Sequence, residues 1–267
     1  MSLQAVHWAA DQDEFASVAS GILANLLRSG REISLALPTG QTPIGLYRQI
    51  VGLCRKGDVS FARTRLFNLD EYLGASPDTA ESYHAFLHHH LIDHIDIPAS
   101  RVRLLRGDTA DPAAECRSYD QAIEAAGGID MAILGLGANG HIAFNEPGSS
   151  WNSQTHVIRL AAQTRAAHRP DFSNADAVPR FGITMGIATI LQAKKIMLLC
   201  AGKGKEQALS MLLAGQGSSA WPVTSLIGHP DLTIVAQARL RGSQNLQSPA
   251  GQNNSTRQAI GQTASRL

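Results

Sequence analysis

The chain predicts an α/β fold in which an open, mostly parallel sheet carries helices on both faces. Three observations lead there. Short apolar runs of strand length alternate with amphipathic, helix-length segments along most of the 267 residues. The strand-like runs are apolar nearly throughout, as strands covered on both faces must be. No period of about 20–50 residues recurs by eye, which argues against solenoids and propellers. The expected architecture is three-layered and Rossmann-like.

Each element follows from local text. Residues 11–27 place Phe15, Val18, Ala19, Ile22 and Leu26 at helical spacing. Residues 32–38 form a short apolar strand that stops at Pro38-Thr39-Gly40, and a helix follows over 43–53, with Pro43 suited to its first turn. A strand over 64–69 ends at Asp70-Glu71-Tyr72, and a helix is expected over 81–94. A short strand at 102–105 and a helix at 111–126 precede the most apolar strand of this part of the chain, within 128–135. Residues 148–179 read as a polar connection containing Gly and Ser. A helix at 185–192, a strand at 195–200, a helix at 204–214 and a strand at 232–236 complete the pattern. Residues 1–241 therefore form one domain. Residues 242–267 turn to Ser, Gln, Asn, Gly and Thr and read as a disordered tail.

Composition narrows the function. With 44% apolar and 17% charged residues, the chain suits one ordinary globular domain with a real core. A formal charge of +1 argues against nucleic acid or an anionic membrane as the main partner. Cys54, Cys116 and Cys200 are odd in number and widely spaced, which fits a reducing compartment. The first residues lack a signal-peptide pattern, and no run approaches the roughly 18 apolar residues of a membrane span. A cytoplasmic protein is expected.

In an open parallel sheet, ligands gather outside the carboxyl ends of the strands. The loop Thr39-Gly40-Gln41-Thr42 joins a strand to a helix N-terminus, where dipole and free amides favour an anion. Read alone, it is equally an ordinary Thr-capped helix start. Lys205, after another strand and beside Gly202 and Gly204, can reach the same anion, although a lone lysine is ordinarily solvated. Together the two loops suggest a monophosphate site. His141 and Glu146 follow the glycine-rich turn 135–140, so an imidazole can lie beside a carboxylate and move protons near neutral pH. The bland alternative is a buried histidine satisfied by an acid. Asp70, at a further strand end, adds a carboxylate suited to taking a proton from carbon, or merely to capping a helix.

Two other patterns lead nowhere. Gly135-Leu-Gly-Ala-Asn-Gly140 spells GxGxxG, yet the glycines run into His141-Ile-Ala-Phe-Asn-Glu146 and no acid occurs between Glu146 and Asp171, so a dinucleotide site is rejected. His84, His88, His89, His90 and His94 resemble a metal cluster, but helical spacing separates the pairs and no HExxH or acidic third ligand accompanies them. No metal is expected.

The loops together resemble the glucosamine-6-phosphate deaminase family, also called glucosamine-6-phosphate isomerase, in the group that includes 6-phosphogluconolactonase. The resemblance rests on Leu37-Pro-Thr-Gly-Gln-Thr-Pro43, Phe67-Asn-Leu-Asp-Glu-Tyr72, Glu81-Ser-Tyr83, Ala114-Glu-Cys-Arg117, Gly137-Ala-Asn-Gly-His-Ile-Ala-Phe-Asn-Glu-Pro147 and Gly202-Lys-Gly-Lys205, within roughly residues 1–240. It implies ring opening of an amino-sugar phosphate, proton transfer from C2 to C1 and release of ammonia, without metal or organic cofactor. On this chain it assigns Asp70 as the carbon base, His141 as the ring-opening group and Glu146 as its holder. Phosphate would fall to Thr39, Gly40, Gln41, Thr42 and Lys205. Arg169 is taken as the mobile arginine, although Pro170-Asp171 interrupts the expected Arg-Phe pair. Asn139 stands where the family often has Asp; an amide orients the ring but does not stabilise imidazolium as a carboxylate does.

The resemblance leaves the C4 epimer open, so galactosamine 6-phosphate is an alternative substrate. A 6-phosphogluconolactonase would have no use for Asp70 as a carbon base. A non-catalytic sugar-phosphate sensor would need a DNA-binding module ahead of the first strand, expected at about Glu32. Family members range from small assemblies to hexamers, which leaves a homo-oligomer open.

Overall fold

A computed structural model describes residues 5–172 and 178–241 of the chain. Its elements run β1 (Ala5–Ala9), α1 (Gln12–Leu27), β2 (Ile33–Leu37), α2 (Ile44–Arg55), β3 (Thr64–Asn68), β4 (Asp70–Tyr72), α3 (Tyr83–His90), β5 (Val102–Arg103), α4 (Pro112–Ala125) and β6 (Met131–Gly135). They continue with β7 (His156–Arg159), α5 (Ala162–His168), β8 (Phe181–Thr184), α6 (Ile187–Leu191), β9 (Lys195–Cys200), α7 (Glu206–Leu213) and β10 (Leu232–Gln237). Seven strands pair in parallel in the order β1-β10-β9-β6-β2-β3-β5.

The sheet is apolar on both sides, and its alternate residues build two cores. Leu35 and Leu37 of β2, Ile133 of β6 and Leu199 of β9 pack with Phe15 and Leu23 of α1 and Tyr47 of α2. Ala36, Leu134 and Leu198 of the same strands point the other way, onto Tyr119 of α4, Ile190 of α6 and Leu209 of α7. The expected three-layer α/β fold is what the chain adopts. Helix starts are set by local chemistry. Asp11 accepts a hydrogen bond from the Glu14 amide at 2.8 Å, while Glu14 reaches back to the Ala10 amide at 2.7 Å. Asp111 accepts from the Ala114 amide at 2.9 Å, with Pro112 in the first turn of α4.

The departures are instructive. The sheet begins at β1, well before residue 32. This edge strand, Ala5-Val-His-Trp-Ala9, mixes exposed and half-buried positions and so lacks a continuous apolar run. The connection expected over 148–179 contains β7 and α5, and β8 follows it. Strands β7 and β8 join β4 in a small antiparallel sheet, with Asp70 opposite Thr184 and Arg159 opposite Phe181. These strands have three or four residues each, too short for periodicity to register. The helix expected to His94 ends at His90, because Leu91 leaves helical geometry at φ −142° and a separate 3-10 turn covers Ile92–His94. The expected tail, 242–267, lies outside the described residues.

Candidate active site

Strand order reverses between β2 and β6: the chain proceeds from β2 to β3 and β5 on one side, and from β6 to β9 and β10 on the other. At such a switch point, adjacent loops diverge to opposite faces and leave a crevice. Here the crevice is a cleft of about 590 Å³, lined by the loops after β2, β3, β6 and β9 together with the starts of α3 and the end of α5.

One end gathers groups of the kind that suit an anion. Thr39, Gly40, Gln41 and Thr42 all line the cleft, and Gly40 turns the chain at φ +85°, where side chains are disfavoured. Tyr47 anchors this loop by donating its hydroxyl to the Pro38 carbonyl at 2.5 Å. Helix α2 has no side-chain cap, so its N-terminal amides and dipole are left for a ligand. Lys205 enters from the loop after β9, and its Nζ donates to the Leu136 carbonyl. Burial lowers the lysine pKa from its ordinary value, a penalty that a bound anion would offset.

Asp70 stands at the first position of β4, buried on the wall of the cleft. Its backbone is fixed by Asn68, whose Nδ2 donates to the Asp70 carbonyl at 2.7 Å. Asn68 is itself held by the Leu105 amide and the Tyr119 hydroxyl. Burial, helped by the negative charge of Glu71, raises the Asp70 carboxyl well above the ordinary range. A carboxylate so placed is more basic than one in water.

His141 follows two tight glycines. Gly140, at φ +83°, packs so closely on Trp221 that a Cβ would sit 2.7 Å from the indole. Gly137 donates its amide to the His141 carbonyl at 2.9 Å and leaves room for the imidazole itself. Glu146 Oε2 is 3.6 Å from His141 Nδ1, and the Thr164 hydroxyl is 3.3 Å from the same nitrogen. Asn139 acts on the carboxylate and the backbone: its Nδ2 donates to Glu146 Oε2 at 2.8 Å, and its Oδ1 accepts from the His141 amide at 3.2 Å. The Ala161 amide holds the other oxygen, Oε1, at 3.0 Å. Burial pushes the Glu146 pKa up, but the neighbouring His141, Thr164 and Ala161 amide outweigh that and bring it down to about 2.

The cleft thus brings together loops suited to an anion, a carboxylate made basic by burial and an oriented imidazole. The family model for glucosamine-6-phosphate isomerases/6-phosphogluconolactonase matches residues 10–234. The chain belongs to this family. Among relatives of the glucosamine-6-phosphate isomerase/6-phosphogluconolactonase family, a glucosamine-6-phosphate deaminase of Thermoanaerobacter pseudethanolicus is 42% identical over 223 residues, 84% of this chain and 88% of the relative. One from Porphyromonas gingivalis is 46% identical over 202 residues, 75% of this chain and 77% of the relative. A solved monomeric glucosamine-6-phosphate deaminase superposes with a TM-score of 0.87 at 40% identity, covering 89% of this chain and 98% of that one. The 6-phosphogluconolactonase of Thermotoga maritima, at 20% identity and a TM-score of 0.69, shares the fold.

Several residues at or around the cleft were not foreseen from sequence. Glu71 points away from Asp70's role and accepts the amides of Tyr72 at 2.8 Å, Tyr83 at 3.0 Å and His84 at 2.8 Å, so it caps α3. Thr164 and the Ala161 amide lie in the stretch read as a polar connection. So does His168, whose Nδ1 is 2.7 Å from the Tyr72 hydroxyl. Arg169 is not brought to this constellation: it begins a 3-10 turn after α5, is exposed, and does not line the cleft. The histidines of this region do not gather: His84 and His88 share a face of α3 as spacing suggests, whereas His94 lies beyond α3 in the following 3-10 turn. His84 and His88 stack at 4.8 Å, His88 pairs with Asp93 at 2.7 Å, and His94 bonds the His89 carbonyl at 2.9 Å. Among the described residues, no three His, Cys, Asp or Glu side chains converge as metal ligands. No helix among them is long and apolar enough to cross a membrane.

Proposed function

We propose that this chain converts glucosamine 6-phosphate and one water into fructose 6-phosphate and ammonia, acting in the cytoplasm. The observation that carries the reading is the cleft itself. It sets a carboxylate made basic by burial and an imidazole held by a second carboxylate beside one anion-binding loop. The relatives named glucosamine-6-phosphate deaminase match over most of the chain and support the same reaction.

In this reading the phosphate lies among Thr39, Gly40, Gln41, Thr42 and Lys205, displacing the Lys205 amine from the Leu136 carbonyl. His141 carries a proton between O1 and the ring oxygen and so opens the pyranose. Glu146, ionised throughout the working range, holds the ring through Nδ1, and Asn139 and Ala161 hold Glu146. Asp70 removes the C2 proton and returns it at C1. Carbon 2 then becomes an imine carbon, which adds water and expels ammonia. Carboxylate serves carbon and imidazole serves oxygen, a division that the different environments of the two groups suit. Arg169 would join the phosphate only if the segment after α5 moved inward.

The test is a coupled assay of ammonia and ketose phosphate from glucosamine 6-phosphate and, separately, galactosamine 6-phosphate. Turnover of the glucosamine ester that disappears in Asp70→Asn supports the proposal. Turnover of the galactosamine ester alone reassigns the substrate, and inertness to both overturns the reaction.

A further inference from the structure

His168 lines the cleft from the end of α5, and the mechanism above gives it no task. Its ring is fixed on several sides. The Tyr72 hydroxyl lies 2.7 Å from Nδ1, the Tyr72 ring meets the imidazole edge-on at 6.2 Å, and Phe144 packs at 6.0 Å. Tyr83 donates its own hydroxyl to Tyr72 Oη at 3.2 Å. Tyr83 lines the cleft together with Thr39. With Tyr72 donating to Nδ1, the imidazole hydrogen would lie on Nε2. The ring would then present a donor to the cleft, and the Tyr72 contact is its one hydrogen bond among the described residues.

The position of this donor is informative. His168 lines the same cleft as Asp70 and His141 at the reacting end and Thr39 and Lys205 at the anion end. A hexose 6-phosphate with C1 and C2 at the first group and its phosphate at the second would run C3 and C4 along the remaining wall, of which His168 is part. Burial, with the positive His141 and Lys205, brings its pKa down to about 4, so the ring acts as an uncharged donor at neutral pH.

Resting on the reading of the previous subsection, we propose that His168 determines specificity by donating Nε2–H to the hydroxyl at C3 or C4 of the bound sugar phosphate. Tyr72 is the positioning residue that sets the tautomer. A donor at C4 would distinguish the gluco from the galacto configuration, which the phosphate and proton-transfer groups do not sense.

The experiment compares kcat/KM for glucosamine 6-phosphate and its 3-deoxy and 4-deoxy analogues in the unaltered protein, His168→Phe and His168→Gln. The unaltered enzyme should lose roughly tenfold on one of the two analogues, the scale of one hydrogen bond. His168→Phe should treat that analogue and the parent alike, whatever its overall rate. Glutamine can accept from Tyr72 and donate with its amide, so it should retain part of the discrimination. If phenylalanine prevents folding, His168→Leu makes the same comparison. An equal deoxy penalty in the unaltered and His168→Phe enzymes reduces His168 to packing and overturns the inference, as does an unaltered enzyme indifferent to both analogues. Failure of the unaltered enzyme to turn over glucosamine 6-phosphate itself overturns the function, and this inference with it.

Discussion

The imidazole of His141 occupies the space next to Gly137 so fully that a Cβ built on Gly137 would lie 2.4 Å from His141 Cδ2 and Nε2. No real Cβ is tolerated at that distance, and the ring is the element able to yield. Gly137 lies outside the left-handed region, so the backbone itself accepts alanine. Gly137→Ala should therefore act through the His141 ring. A displacement near 1 Å of a reacting group costs on the order of a hundredfold. We expect kcat/KM to fall by about that factor with a melting temperature changed by only a few degrees. Steady-state kinetics beside a thermal melt check this, and an unaffected rate would remove His141 from the chemistry.

Asp70 and Glu71 are adjacent in sequence but serve opposite faces of β4. Asp70→Asn should abolish the carbon base, with a loss of about 10²–10⁴ in kcat. Glu71→Gln should be informative in two ways. Removing the Glu71 charge takes away one cause of the raised Asp70 pKa, so the acidic limb of the kcat/KM profile should move to lower pH. The substitution also points an amide N–H at one of the three backbone donors now held by the carboxylate. A stability loss of about 1–3 kcal/mol follows from the unpaired group. Burial pushes the Glu71 pKa up to about 7 despite those three donors. A pH–rate profile with an unmoved acidic limb would show that Asp70 does not sense its neighbour.

Sheet and site were legible to different depths. The buried strands β2, β6, β9 and β10 announced themselves because both faces need apolar residues. The edge strand β1 and the small sheet β4-β8-β7 did not, since partial exposure dilutes the apolar signal in three to five residues. The cleft residues Thr39, Asp70, His141, Glu146 and Lys205 stood out as chemically loaded loops after strands. Their supports did not. Thr164 and His168 depend on α5, which folds the chain back over the cleft from a stretch of unremarkable polar text, and nothing local to Ala161 marks its amide as a carboxylate donor. Arg169 illustrates the limit: residue type and order suggested it, but where a side chain falls around a 3-10 turn is a tertiary matter.

Glu146 links catalysis to acid stability. Its pKa falls from 4.5 in the unfolded chain to about 2 in the folded one, so the unfolded state binds the proton more readily between these values. Its contribution is present in full above pH 4.5 and is lost as the pH falls towards 2. Glu146→Gln should flatten the loss of stability in that window. It should also release His141 from its carboxylate and lower kcat by roughly one to two orders of magnitude, at the lower end of acid–base contributions. Urea unfolding between pH 5 and pH 2, about the two pKa values, gives the first result. An unchanged slope would mean that the carboxylate is not held as the geometry implies.

His168 acts in a separate and higher window. Unfolded, its imidazole takes a proton near 6.5; folded, burial and the charges of His141 and Lys205, partly offset by Glu146, delay this to about 4. Its pKa is depressed on folding, so the unfolded state binds the extra proton between those values. Stability is complete above 6.5 and declines as the pH falls towards 4, with a limiting slope of about 1.4 kcal/mol per pH unit for one proton. Protonation at Nδ1 also stops that nitrogen from accepting a hydrogen bond from the Tyr72 hydroxyl. His168→Phe should therefore be less acid-sensitive than the unaltered protein from pH 6.5 to 4, while Glu146→Gln should differ from it mainly below 4.5. Measured on the same denaturant series, the two variants resolve the two groups. Parallel stability curves for His168→Phe and the unaltered protein would mean that His168 is already protonated in the fold, with Nδ1 unable to accept from Tyr72.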